Sequence, residues 1–218
     1  MLSGAVLTLA LTFGAACDDS GSREASAALR ATTDEKLERL YREGKSFKDF
    51  LGAAKSRKEQ WNKTYERAAV ADDLLVRAKA AQEKGSFRLL VVAEDWCSDS
   101  VNSVPFLAFL AEHVPGLEMR IVNAKDGRPL MDAHHTPDGR AATPTVILLT
   151  SAFEEAGCWV ERPAALQSWW AENKPKLSDG EMRTQKQAWY DRDGGRETVR
   201  EIVEMMEAAA AGSKKCEG

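Results

Sequence analysis

Leu89-Leu90-Val91-Val92-Ala93 is an unbroken apolar run, and Glu94-Asp95-Trp96-Cys97-Ser98-Asp99-Ser100 follows it directly. A run this short, with no polar alternation, reads as a strand buried on both faces. Such a strand needs helices above and below it, which directs the chain to a layered α/β class. A helical segment carrying Val104, Leu107, Phe109 and Leu110 comes next. Cys97 therefore falls between a buried strand and the start of a helix. A helix N-terminus offers free N–H groups and positive dipole potential, and both favour a thiolate. Ser100 can bond to the Cys97 sulfur through its hydroxyl or its N–H, in the manner of an N-cap. The charges of Glu94, Asp95 and Asp99 oppose the thiolate.

The pattern beyond this point supports a sheet. Leu117, Met119 and Ile121 alternate with polar neighbours as a second strand, and Pro129 to His135 reads as a short helix. Val146-Ile147-Leu148-Leu149 is a third strand. Cys158-Trp159-Val160 is a fourth, close enough in sequence to form a hairpin with it. Pro163 suits the first turn of a helix holding Leu166, Trp169 and Trp170. The order β-α-β-α-β-β-α allows one central sheet with helices on both faces.

Helical sequence flanks this unit. Residues 32–84 contain a capping-box pattern at Thr32 and Glu35, then Leu37, Leu40 and Tyr41 at helical spacing, and a stop at Gly44. Further helices fit Ser46 to Ala54, Ser56 through Trp61 and Tyr65, and Ala71 to Gln82. No chemistry is legible in this extension, and Lys55-Ser56-Arg57-Lys58 reads as a solvated helix start. Residues 85–175 hold the α/β unit. Residues 176–210 read as helices packed on it, with a second capping box at Ser178 and Glu181, a break at Gly194-Gly195, and Val199, Ile202, Val203 and Met206 on one face. Residues 211–218, with Cys216, read as a disordered tail.

Composition narrows the function. The 218 residues carry 30 basic and 34 acidic side chains, a formal net charge of −4, which argues against a nucleic-acid surface. With 44% hydrophobic and 29% charged residues the chain is globular. Its 4 Cys, at 17, 97, 158 and 216, are too few for a disulfide scaffold and are not spaced as a zinc finger. Cys158 reads as a small buried hydrophobe. His134-His135 has no second ligand pair at suitable spacing and reads as a surface helix end, so no metal and no cofactor are expected.

Residues 1–16 carry no charge and are mostly apolar. They fall short of the ~20 residues of a spanning helix but match a signal-peptide core ending in Gly14-Ala15-Ala16. Cys17 and the polar Ser/Ala/Gly-rich stretch 17–31, a flexible tether, follow. The arrangement resembles a bacterial lipoprotein signal, which implies export, a lipidated Cys17 and attachment to a membrane surface. It departs from that pattern in lacking Lys or Arg before the apolar run and in placing Gly14 where Leu is usual. An ordinary secretory signal, or a cytoplasmic protein with a misplaced start, are the alternatives.

Strand, Trp96-Cys97-Ser98-Asp99-Ser100 and a helix interrupted by Pro105 resemble the thioredoxin superfamily, as does Thr143-Pro144 ahead of Thr145-Val146-Ile147. The runs Ala93 to Asp99, Leu130-Met131-Asp132 and Trp159 to Pro163 more narrowly resemble bacterial thioredoxin-family proteins with helical extensions. The resemblance implies a thioredoxin-like fold, a central mixed sheet with flanking helices, plus N- and C-terminal helical extensions. It implies a cis peptide at Pro144. It further implies a groove in which Trp96, Ser98, Asp99, Thr143 and Pro144 position an extended peptide, and protein or peptide thiols and disulfides as partners. Two departures matter. The second motif cysteine is Ser100, and dithiol exchange needs that thiol to resolve a mixed disulfide. The buried acid usual six residues before the motif cysteine is Val91. The expectation is a Cys-x-x-Ser thiol protein in which Cys97 attacks and Ser100 supports it, an oxidoreductase with impaired dithiol activity. Whether Cys158 or Cys216 resolves Cys97 in place of Ser100 is left open by the sequence. The alternative is a non-catalytic binding module. A peroxidase would carry Thr three residues before the cysteine, where this chain has Glu94.

Overall fold

The computed structural model describes residues 33–217. The apolar stretch 1–16, Cys17 and the tether 17–31 lie outside the described residues. Five strands build one mixed sheet: β1 (Arg88–Val92), β2 (Glu118–Val122), β3 (Thr145–Leu149), β4 (Glu155–Val160) and β5 (Lys215–Glu217), in the order β2-β1-β3-β4-β5. β1 runs parallel to β2 and antiparallel to β3, β3 and β4 form the expected antiparallel hairpin, and β5 adds in parallel to β4.

The unbroken apolar run of β1 has a simple cause, because each face of the sheet has its own core. Leu89 and Val91 pack on one side with Trp61, Leu107, Ile202 and Val203, while Leu90 and Val92 pack on the other with Leu37, Leu130, Met131 and Ile147. The first side is covered by α2 (Phe47–Ala53), α3 (Lys58–Glu66), α4 (Asp72–Gly85), α5 (Ser98–His113) and α9 (Arg196–Ala210). The second is covered by α1 (residues 33–43) and α6 (Arg128–Ala133). Two further helices, α7 (Ala164–Asn173) and α8 (Asp179–Asp193), link β4 to α9.

Local signals place the helix ends. Ser178 and Glu181 make both hydrogen bonds of a capping box at the start of α8. Gly194 and Gly195 take positive φ between α8 and α9, and a side chain on Gly195 would collide with the Phe106 ring. The N-terminal extension is stitched to the sheet, since Lys45 and Ile121 exchange both backbone hydrogen bonds, each 2.8 Å. No helix among the described residues is long and apolar enough to cross a membrane.

The tail corrects the sequence reading. Residues 215–217 are not disordered but form the edge strand β5, where Cys216 stands in register with Cys158 and is disulfide-bonded to it. A segment of Gly, Ser and Lys has no apolar period of its own. Its order comes from the open edge of β4 and the crosslink, neither of which is local. Cys158 is buried, as expected, but as half of a disulfide.

Candidate functional site

Cys97 is the N-cap of α5, with extended backbone (φ −76°, ψ 122°). The Ser100 N–H donates to its sulfur at 3.4 Å, and the thiol donates to the Thr143 carbonyl at 3.1 Å. The sequence left open whether the hydroxyl or the N–H of Ser100 meets the sulfur. The N–H does, and the buried hydroxyl has no hydrogen-bond partner among the described residues. The Thr143-Pro144 peptide is cis. Only 8% of Cys97 is exposed, whereas its neighbour Trp96 is 60% exposed.

Trp96, Cys97, Ser98, Asp99 and Thr143 line one open groove of about 380 Å³, together with Arg57 and Arg140. That is near the lower end of the range for small-molecule pockets. Pro144 is buried, and its carbonyl accepts from Glu161 N–H at 2.7 Å, so Thr143 carries that turn's contact with the groove. Cys17 lies outside the described residues. The groove lining holds no His and no second Cys.

The loop that delivers Cys97 is held by the N-terminal extension. Asp95 accepts from the backbone N–H groups of Lys55 (2.7 Å) and Ser56 (3.0 Å). The Trp61 indole N–H donates to Asp95 carbonyl at 2.9 Å, and Arg57 Nε donates to Trp96 carbonyl at 2.8 Å. Glu94 accepts from Ala124 N–H at 2.8 Å. Burial works against the Asp95 charge, yet the Ser56 and Lys55 N–H groups outweigh it and hold the carboxyl below its usual value. Glu94 and Asp95 are thus structural anchors of the loop. Arg57 takes φ 51° at the start of α3, an uncommon conformation for a residue with a side chain.

The C-terminal helices approach the same helix end. Lys186 Nζ donates to Asp99 at 2.7 Å and to Ser98 Oγ at 2.8 Å, and Tyr190 OH donates to Asp99 at 2.8 Å. Burial, and then the Asp99 charge, push the Tyr190 hydroxyl well above the usual tyrosine value. Arg162, also buried, lies 3.6 Å from Asp99 and stacks over Trp170 at 4.5 Å. Trp169 and Trp170 are both half-buried. Gln187 exchanges hydrogen bonds with Asn102, both 3.1 Å. Asp99, expected from the resemblance to meet substrate, is turned to this internal network. Val91, in place of the usual acid, is fully buried in apolar surroundings.

Sequence reasoning missed Arg57, Trp61, Arg162, Lys186 and Tyr190. Lys186 and Tyr190 lie four apart and so share a helix face, but nothing in that spacing names Asp99, 87 residues from Lys186. Arg57 was legible only as part of a charged cluster.

A thioredoxin family model matches residues 44–175, more than half of the chain. Among solved structures, a protein of unknown function from Pseudomonas aeruginosa superposes with a TM-score of 0.61 at 22% identity, covering 78% of this chain and 96% of that one. An HIV epitope-scaffold gives a TM-score of 0.60 at 20% identity, covering 78% and 97%. At such identities these two share the fold alone. No curated protein matches. The sheet order, the cysteine at the start of α5, the cis peptide facing it and the matching family model agree: the chain belongs to the thioredoxin family.

Proposed function

We propose that the protein is a monothiol member of its family, in which Cys97 attacks protein or peptide disulfides and is held in mixed disulfides with them, in an exported compartment. One observation carries the reading. Cys97 is the free cysteine among the described residues, because Cys158 and Cys216 are bonded to each other and neither is available to resolve it. In the reaction the Cys97 thiolate attacks one sulfur of a substrate disulfide. A new S–S bond forms, the substrate bond breaks, and the other sulfur leaves as a thiolate that takes up the proton Cys97 lost. Ser100 N–H, the donor already on the sulfur, supports the attacking charge. With serine at position 100, release of the trapped partner awaits an external thiol.

The test is capture. Purified from its native compartment under alkylating conditions, the protein carries mixed-disulfide partners that thiols release and Cys97→Ser abolishes. Insulin-disulfide reduction is near background, and Ser100→Cys raises it at least tenfold. Strong reduction by the unaltered protein, or capture that survives Cys97→Ser, overturns the reading.

The exposure of Trp96 beside a buried sulfur favours a second reading, a peptide-binding module that does not use the thiol. In that case Cys97→Ala leaves partner binding unchanged while Trp96→Ala weakens it. The exported location rests on the resemblance of residues 1–17 to a lipoprotein signal and on a disulfide suited to an oxidising compartment. Mass spectrometry of the mature protein is expected to find Cys17 as the first residue, carrying lipid. An unprocessed Met1 overturns it.

A further inference from the structure

Away from the Cys97 groove, four donor groups converge between α6 and the β4–β5 edge. An imidazole nitrogen of His134, a carboxylate oxygen of Glu155 and the sulfurs of Cys158 and Cys216 all lie within 4.8 Å of one another. The chain brings them together by separate devices. His134 is the C-cap of α6. Glu155 and Cys158 lie three apart on β4, a spacing that plain alternation would put on opposite faces. The β3–β4 register skips a residue, with Leu148 facing Gly157 and Leu149 facing Glu155, and this bulge returns Glu155 to the Cys158 side. Cys216 arrives on β5 in register with Cys158.

We propose that these residues form a redox-gated zinc site, closed as a disulfide when Cys158 and Cys216 are oxidised and able to hold Zn²⁺ through four ligands when they are reduced. Two thiolates, one imidazole and one carboxylate are a donor set for tetrahedral zinc. His134 Nε2 already lies 3.2 Å from the Glu155 carboxylate. Two ligands held about 2.0–2.2 Å from zinc at a tetrahedral angle stand roughly 3.3 Å apart, so this half of the site needs little change. The sulfurs must part from bonding distance to about 3.8 Å, the span set by Zn–S bonds of about 2.3 Å. β5, a three-residue edge strand, is the element that would shift. Lys214 Nζ, now 2.7 Å from Glu155, would yield that oxygen to the metal and remain beside a site with one net negative charge.

The chemistry balances. A dithiol reductant gives two electrons and two protons to the Cys158–Cys216 bond and becomes a disulfide itself. Zinc then replaces the two thiol protons, which pass to solvent. In either state β5 stays fastened to β4, once by sulfur–sulfur bonding and once by metal.

The experiment uses the full chain with Cys17→Ser and Cys97→Ser, so that the pair supplies the only thiols. After reduction by a phosphine and removal of excess reagent, zinc chloride is added and zinc per chain is measured by native mass spectrometry. One zinc per reduced chain and none per oxidised chain is expected. Cobalt(II) in place of zinc should give a tetrahedral d–d spectrum with thiolate charge-transfer absorption. His134→Gln and Glu155→Gln should each weaken zinc at least tenfold while leaving two titratable thiols. Loss of zinc-free circular dichroism would mark a variant as misfolded, and the cobalt spectrum of the unaltered ligand set then decides. Absent or octahedral cobalt, or folded variants that bind zinc as tightly as the parent, would overturn the site and leave a plain dithiol.

Discussion

Lys186 and Tyr190 meet Asp99 inside the protein, and their two contacts are not equivalent. Lys186 is the short ion-pair partner of a carboxylate that is only 6% exposed. Replacing it with Met keeps much of the volume but leaves Asp99 with a more distant cation, Arg162. Removing one partner of a buried pair costs about 3–5 kcal/mol. Tyr190→Phe removes a hydrogen bond to the same charge, for which about 1.5–3 kcal/mol is expected. Urea unfolding should therefore rank Lys186→Met below Tyr190→Phe, and Tyr190→Phe below the parent. An equal or reversed order would mean that Arg162 already neutralises Asp99. Lys186 also donates to Ser98, the residue after Cys97. Lys186→Met should consequently alter the alkylation rate of Cys97, whereas a purely global loss of stability would leave the rate in the folded state unchanged.

At the scale of elements, α2 and α3 act on the active loop through the turn between them. Trp61 on α3 is fully buried and also donates to Asp95 carbonyl. Asp95 in turn collects two N–H groups from residues 55 and 56. Its folded-state pKa lies below the unfolded value of 3.8. That sign means the contribution to stability is present above about pH 4 and is lost as pH falls through the lower folded value. Asp95→Asn keeps one acceptor oxygen but not the charge. Its cost, about 1 kcal/mol for a partly exposed group, should be seen at pH 7 and should shrink as the pH falls below about 4 in denaturant titrations. A constant difference across that range would assign the effect to packing. Trp61→Ala removes a core aromatic and should cost about 3–5 kcal/mol at either pH, which separates the two kinds of contribution within one clamp.

Across the whole molecule, what was legible in the sequence and what was not divide by range. The β1 run, the turn into α5, Pro144 ahead of β3 and the Ser178 capping box each depend on neighbours along the chain, and each lies where local pattern put it. Trp96, Cys97, Ser98, Asp99 and Thr143 do share one groove. The Asp99–Lys186 pair and the placement of Arg57 depend on which helices pack together, and a charged side chain on a helix does not encode its distant partner. β5 is the extreme case, because three residues with no apolar period are ordered by an edge and a bond 58 residues away in sequence. That separation makes the bond a long-range constraint on the unfolded chain. In the chain-entropy account, closing a loop of this size contributes about 4 kcal/mol, and native-state effects often reduce the realised value to about 2–4. Cys216→Ser should therefore lower the oxidised protein's unfolding free energy by that amount in zinc-free buffer. Reducing the parent should lower it similarly, and reduction should add nothing further to the variant. A Cys216→Ser protein as stable as the oxidised parent would mean that β5 is held by strand pairing and by α9 alone.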